Sequence, residues 1–198
     1  LRFLPKVRIN DLALFADPET GLIRAEVSIM KTESDPVKGT LELEVRKAPE
    51  GDVEDAVSIP VTFEGNENTR VHKLHIENLQ LWSLRDPCLY TVRAEINSCF
   101  GRHSVIKKTG FRSFRVGDDG YFYLNGERVY VRSSHTGNCF PESYHDISRD
   151  RELLRKDFLM AKSVGFNMIR FIAGSALPIQ LDLCDEIGLM VYEEPLGA

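Results

Sequence analysis

FYLNGERVYVR, residues Phe122 to Arg132, divides the chain into two kinds of sequence. Phe122 and Leu124 read as a strand running into Asn125-Gly126, a pair that tolerates the positive φ angles of a type I′ turn, with Val129 to Val131 as the return strand. Upstream, to about Arg115, apolar and polar residues alternate with a period of two. The clearest case sets Leu41, Leu43 and Val45 on one face against Glu42, Glu44 and Arg46 on the other. Similar runs lie at Val7–Leu14, Leu22–Lys31, Val57–Phe63, Val71–Ile76, Tyr90–Ile96 and Ser104–Phe111, with breakers such as Asp17-Pro18, Asp35-Pro36 and Gly65-Asn66 between them. About seven strands in roughly 110 residues are the count and spacing of an immunoglobulin-like β-sandwich, here without an inter-sheet cysteine pair.

Downstream the period changes. Ser148 or Asp150 can cap a helix whose Leu154, Phe158, Ala161 and Val164 share a face, and Gly165 sits where it should stop. Phe166–Ile172 reads as a strand. A second helix starts near Ser175, carries Pro178 in its first turn, buries Ile179, Leu183 and Ile187, and ends at Gly188. Leu189–Tyr192 is a continuous apolar run, typical of a parallel strand covered on both faces. Strand, helix, strand, helix, strand implies a parallel sheet with too few strands to close. The expected fold class is thus multidomain, β plus α/β. A sandwich occupies residues 1–116, and the first three strands and two helices of a (β/α)8 TIM barrel occupy residues 117–198. A start at Leu1 and a stop at Ala198, just past the third strand, lead us to expect a piece of a longer chain. The unpaired edge of that strand is expected to favour self-association.

Composition narrows the partners. The 198 residues carry 25 Lys and Arg against 30 Asp and Glu, a net charge of -5 that gives no basic surplus for a phosphate backbone, so no nucleic acid partner is expected. No stretch approaches the roughly 20 apolar residues of a membrane-spanning helix, and no membrane partner is expected either. Cys88, Cys99, Cys139 and Cys184 lack both CxxC spacing and the density of a disulfide scaffold. His72, His75, His103 and His145 have no metal-ligand spacing, so neither a metal nor another cofactor is expected.

Five segments together resemble glycoside hydrolase family 2: LWSLRDPCLYTV (Leu81–Val92), GFR (Gly110–Arg112), FYLNGERVYVR, GFNMIR (Gly165–Arg170) and LDLCDEIGLMVYEE (Leu181–Glu194). The family includes β-galactosidases, β-glucuronidases and β-mannosidases, in which an immunoglobulin-like sandwich precedes a catalytic barrel. The resemblance implies a carbohydrate substrate and retaining hydrolysis of terminal β-linked sugars by two glutamates at the ends of later barrel strands, outside this chain. No catalytic residue is therefore assigned here. Two departures fall at the expected barrel mouth: Arg132-Ser133 where the family usually has Arg-Gly, and Ala173-Gly174-Ser175-Ala176 where it often has a histidine-containing loop. Substrate identity is not carried over.

Three residues are candidates for substrate binding. Arg170, matching the family's arginine at the carboxyl end of the second barrel strand, can hydrogen-bond sugar hydroxyls or hold a carboxylate ionised, or else pair with Glu193 or Glu194. His135, read as a loop residue three past Arg132, can line the pocket mouth, and Glu194 can bind sugar or support those that do. Glu193 and Glu194, adjacent on one strand, point to opposite sides and make a poor acid and nucleophile pair. Ser133, Ser134 and His135 lack a GxSxG elbow, and Asp182, Asp185 and Glu186 read as a solvated helix face. Trp82 is a sugar-stacking candidate that reads better as the sandwich packing its own edge. The competing functional class is a non-catalytic carbohydrate-binding or protein-interaction sandwich, for which a βαβαβ tail has no use.

Overall fold

The computed structural model describes residues 4–136, 150–172 and 175–194. Cys139, His145, Ser148 and the Ala173-Gly174 pair lie outside them. Backbone packing divides the chain into two units, residues 1–80 with 89–111, and residues 81–88 with 112–198.

In the first unit the alternating runs become β1 (Val7–Asp17), β2 (Leu22–Lys31), β3 (Val37–Lys47), β4 (Val53–Phe63), β5 (Glu67–His75), β6 (Tyr90–Ser98) and β7 (Gly101–Thr109). They pair as two antiparallel sheets, β1-β2-β5 and β4-β3-β6-β7. Period-two alternation turns Ile23, Ala25, Val27 and Ile29 of β2 inward, and Leu41, Leu43 and Val45 of β3 and Val92, Ala94 and Ile96 of β6 likewise, all buried. The fourth strand stays paired with the third instead of joining the first sheet, unlike the constant-type antibody order. Lys31 occupies the next inward position of β2 and is 2% exposed; its ammonium is satisfied by the Asp35 and Glu64 carbonyls at 2.8 and 3.1 Å. A register slip in β1 between Ile9 and Asp11 presents the Ile9 amide to His103 Nδ1 (3.2 Å) and Asp11 to Lys107 (2.8 Å). Those two contacts join β1 to β7 across the sheet edges, and the Lys107 bond holds the Asp11 carboxyl below its ordinary value.

The second unit opens with an antiparallel meander, β8 (Phe114–Val116), β9 (Phe122–Leu124) and β10 (Glu127–Val129). Asn125 (φ 52°) and Gly126 (φ 81°) are both left-handed, as a type I′ turn requires. A two-residue turn sets Glu127 opposite Leu124, so the return strand begins two residues before the expected Val129. A parallel sheet of β11 (Ser133–Thr136), β12 (Met168–Phe171) and β13 (Met190–Glu193) follows, in that order. The sequence SSHT of β11 has no apolar period, which is why it reads as a loop; His135 is a strand residue.

Helix α1 (Arg151–Ser163) is capped by Asp150, which accepts the Glu152 and Leu153 amides at 3.0 and 3.1 Å. Leu154 and Phe158 are buried, whereas Val164, expected on the same face, lies past the last turn and is 70% exposed. Helix α2 (Pro178–Ile187) buries Leu183, Cys184 and Ile187 against Ile169 and Phe171 of β12. Burial pushes the Cys184 thiol up to about 12. Both helices pack on this one face of the sheet; on the other Met190 is 4% exposed and Tyr192 52%, so β13 is covered on both faces, as expected, at its amino end and not at its carboxyl end. None of the described helices is long and apolar enough to cross a membrane.

The end of α2 organises this unit. Its last carbonyls have no helical donors and need others. Cys184 O accepts the Gly188 and Leu189 amides, Asp185 O accepts Trp82 Nε1 at 2.7 Å, and Ile187 O accepts Lys162 Nζ. Lys162 also donates to Leu84 O at 2.8 Å, and Asn125 Nδ2 to Trp82 O at 2.9 Å. Residues 81–88 thus form a strap fastened to both helices and the meander. Gly188 is left-handed (φ 82°), and a Cβ there would lie 2.8 Å from Leu84 O. Trp82, 1% exposed with the Arg112 guanidinium 4.7 Å from its ring centroid, is a buried core residue and not a sugar-stacking platform. Its indole N–H needed an acceptor, and a helix end supplied one.

Lys162→Met leaves the Leu84 and Ile187 carbonyls without their donor, and we expect it to cost about 1.5–3 kcal/mol in denaturant titrations. Lys156→Met, on the exposed side of the same helix, is expected to cost less than about 0.5 kcal/mol. Equal costs for the two would remove Lys162 from this role.

Candidate functional site

A parallel strand pair aligns side chains in register, and each strand alternates its faces. His135 of β11 lies beside Arg170 of β12, which lies beside Tyr192 of β13. Glu194, two residues beyond Tyr192, returns to the same face. These four residues form a polar row at the carboxyl end of the sheet, on the side without helices. Ile169 and Phe171, one position away on β12, are buried against α1 and α2.

The structure brings Arg170 and Glu194 into direct contact. Arg170 Nε donates to Glu194 Oε1 at 2.5 Å, and Nη2 forms a second bond to the same oxygen. The side chains are 49% and 28% exposed, so the pair is open to a ligand. The guanidinium carbon lies 5.7 Å from the centroid of the Tyr192 ring. The backbone extends the sheet to this point, since the Glu194 amide donates to Phe171 O at 3.2 Å. His135 is exposed beside Arg170.

Glu193 is on the other side of β13, where its Oε1 accepts the Ala176 amide at 2.7 Å and fixes the approach to α2. The two adjacent glutamates therefore face apart, as their spacing dictates. Of these two carboxylates, only Glu194, one residue past the end of β13, shares the face of Arg170.

This arrangement suits the recognition of hydroxyl groups. The ion pair is neutral as a whole, yet guanidinium and imidazole N–H groups donate and the carboxylate accepts, beside the apolar face of an aromatic ring. Tyr192 is the member that sequence reading missed, because it ends an otherwise aliphatic strand and was counted with the buried run. Its hydroxyl was the available signal, since a tyrosine at a strand's carboxyl end is suited to a wet surface. Among the described residues, no cluster of three or more His, Cys, Asp or Glu side chains is arranged to hold a metal ion.

Comparisons with known proteins give the same fold over nearly the whole chain. A β-glucuronidase of Parabacteroides merdae superposes with a TM-score of 0.84 at 24% identity, over 97% of this chain and 24% of its own. A putative β-glucuronidase of Formosa agariphila is 33% identical over 130 residues, 65% of this chain and 16% of its own length. A β-galactosidase of Thermoanaerobacter pseudethanolicus is 33% identical over 131 residues, 64% of this chain and 17% of its length. The chain thus spans about a sixth of these two relatives. The family model of the glycosyl hydrolases family 2 matches residues 7–112, more than half of the sequence, and the chain belongs to that family.

Proposed function

We propose that the chain forms the sandwich (residues 1–116) and the opening of the (β/α)8 catalytic barrel (residues 117–198) of a retaining glycosidase that removes terminal β-linked sugars. The observation that carries this reading is the two-ended character of the helix-free sheet face. At its amino end, Met168 and Met190 lie with Phe114 and Leu124 around a cavity of about 90 Å³. At its carboxyl end stand His135, Arg170, Tyr192 and Glu194. A (β/α)8 barrel has this polarity, with a packed interior and a reactive carboxyl edge. The names of the relatives, β-glucuronidase and β-galactosidase, support the β-glycoside class.

In this reading each residue binds or orients. Glu194 fixes the plane of the Arg170 guanidinium, whose remaining donors meet sugar hydroxyls. Tyr192 supplies an apolar plate for the C–H face of the ring, and His135 borders the mouth. Retaining cleavage needs two carboxyl groups about 5.5 Å apart and facing the same anomeric carbon. With Glu193 turned toward α2, this face offers among the described residues one such group, Glu194, already engaged with Arg170. Proton donor and nucleophile then come from outside these residues, and the chain alone is inactive.

Three outcomes follow. Incubated with a panel of aryl β-glycosides, the chain is expected to release no more aglycone than buffer does; turnover that survives repurification would refute the reading. The open edge of β13 is expected to self-associate, seen as oligomers by light scattering. A monomer with strongly protected amides from Met190 to Tyr192 would contradict that. In a longer protein containing this sequence, Arg170→Ala is expected to lower kcat/KM roughly 10- to 100-fold, the loss of a charge-assisted bond acting at the transition state. Arg170→Lys should restore little of it. A lower Tm with unchanged kinetics per folded molecule would make Arg170 structural instead.

A further inference from the structure

A second concave surface lies wholly within the unit of residues 81–88 and 112–198, and none of the four residues of the polar row lines it. It is a cleft of about 770 Å³ between the strap, the turn of the meander and the segment joining α1 to β12. Leu81, Leu84 and Phe166 give it apolar walls, and Tyr130, 80% exposed, stands among its lining residues. Three arginines line it, Arg85, Arg128 and Arg132, against one carboxylate, Glu127.

Among the described residues some arginines pair with a carboxylate and others do not, Arg8, Arg70 and Arg115 as well as those of the cleft. Elsewhere Arg24 pairs with Glu26, Arg93 with Glu95, Arg151 with Glu186 and Arg170 with Glu194. Arg85 and Arg132 have no carboxylate within 4.0 Å among the described residues. Arg132 instead lies along the Gly165 backbone, 3.8 Å from where a Cβ would stand. Arg128 stacks on Tyr121 with its guanidinium carbon 3.3 Å from the ring centroid, and its charge also helps hold the nearby Asp119 carboxyl below its ordinary value. Other polar groups here are spent. Asn167 accepts the Arg132 amide and donates to Tyr130 O, and Lys162 holds the Leu84 and Ile187 carbonyls.

We propose that this cleft docks an acidic polypeptide segment, one whose carboxylates alternate with apolar side chains. Planar guanidinium forks match carboxylates in geometry as well as charge. The walls between them bury apolar side chains, a role that an inorganic anion leaves unused. The volume falls within the roughly 300–1,000 Å³ of small-ligand pockets, which fits a few residues of extended chain and not a folded domain. Arginine and tyrosine are also the side chains on which binding energy concentrates at protein interfaces.

The test is fluorescence anisotropy of the chain with a fluorescein-labelled Glu-Leu-Glu-Leu-Glu peptide at low ionic strength. Saturable binding is expected, weakening as salt rises. Arg85→Ser and Arg132→Ser are each expected to weaken it roughly twofold to fivefold, and the double variant by about their product. Arg102→Ser, an equal loss of charge on β7, should change it less than twofold. Should the double variant fail to keep the parent Tm, the two single variants decide. No binding up to millimolar peptide, equal binding of Gln-Leu-Gln-Leu-Gln, or an unchanged double variant would overturn the proposal. Full displacement by an equal concentration of inorganic phosphate or of polygalacturonate would overturn it too, in favour of a small-anion or an acidic-saccharide site.

Discussion

The second unit depends on how the carbonyl end of α2 is satisfied. A helix end among packed elements must find donors, and here they come from far away in the sequence: an indole N–H from Trp82 and an ammonium from Lys162. Each donor brings its own element. Trp82 carries the strap, itself tied to the meander by Asn125, and Lys162 carries α1. Burial holds the Lys162 ammonium below the ordinary lysine value, so its bonds to two carbonyls offset a real desolvation cost. Gly188 belongs to the same construction, because a side chain there would strike Leu84 O and Lys162 Nζ at once.

One consequence is that sequence order and packing divide the chain differently. Residues 81–88 are flanked on both sides by sandwich strands, yet they pack with residues 112–198. A reading that expects one cut between residues 116 and 117 cannot see this, because nothing in the local pattern of LWSLRDPC says which helix will accept a hydrogen bond from its indole. The partner lies 103 positions away.

Legibility elsewhere followed the same rule. The seven sandwich strands were plain because alternation is a local signal reinforced by turn residues at each end. Asn125-Gly126 and the stop at Gly188 were plain for the same reason, as each requires a particular residue type at a particular backbone conformation, and the N-cap of α1 was narrowed to Ser148 or Asp150. Strand β11 was not, because Ser133, Ser134 and His135 carry no apolar face, and its pairing with β12 is stated only in three dimensions. Val164 was misplaced because helical periodicity continues in the sequence one residue past Ser163, where the helix ends, to the C-cap position. At the candidate site, Arg170 and Glu194 were identifiable by residue type and by resemblance. Their pairing was one of two alternatives open in the sequence and the opposed glutamates followed from adjacency on a strand; which glutamate pairs, and that Tyr192 flanks the pair, are consequences of strand register.

Register also explains how one residue type serves two ends in this small unit. Arg170 sits where strand alternation returns a glutamate to its own face two residues beyond a register partner, so its charge is cancelled and its donors are oriented. Arg85 and Arg132 sit on a strap and at a strand entry, where no neighbouring strand delivers a carboxylate. The first environment yields a neutral, directional surface that discriminates by hydrogen-bond geometry; the second yields uncompensated positive potential that acts over a Debye length and falls with salt. Geometry-dependent recognition is what a site for uncharged hydroxyls requires. Potential-dependent recognition is what attracts a flexible acidic chain, so on the two proposals the first surface is expected to respond to the stereochemistry of a ligand and the second to ionic strength.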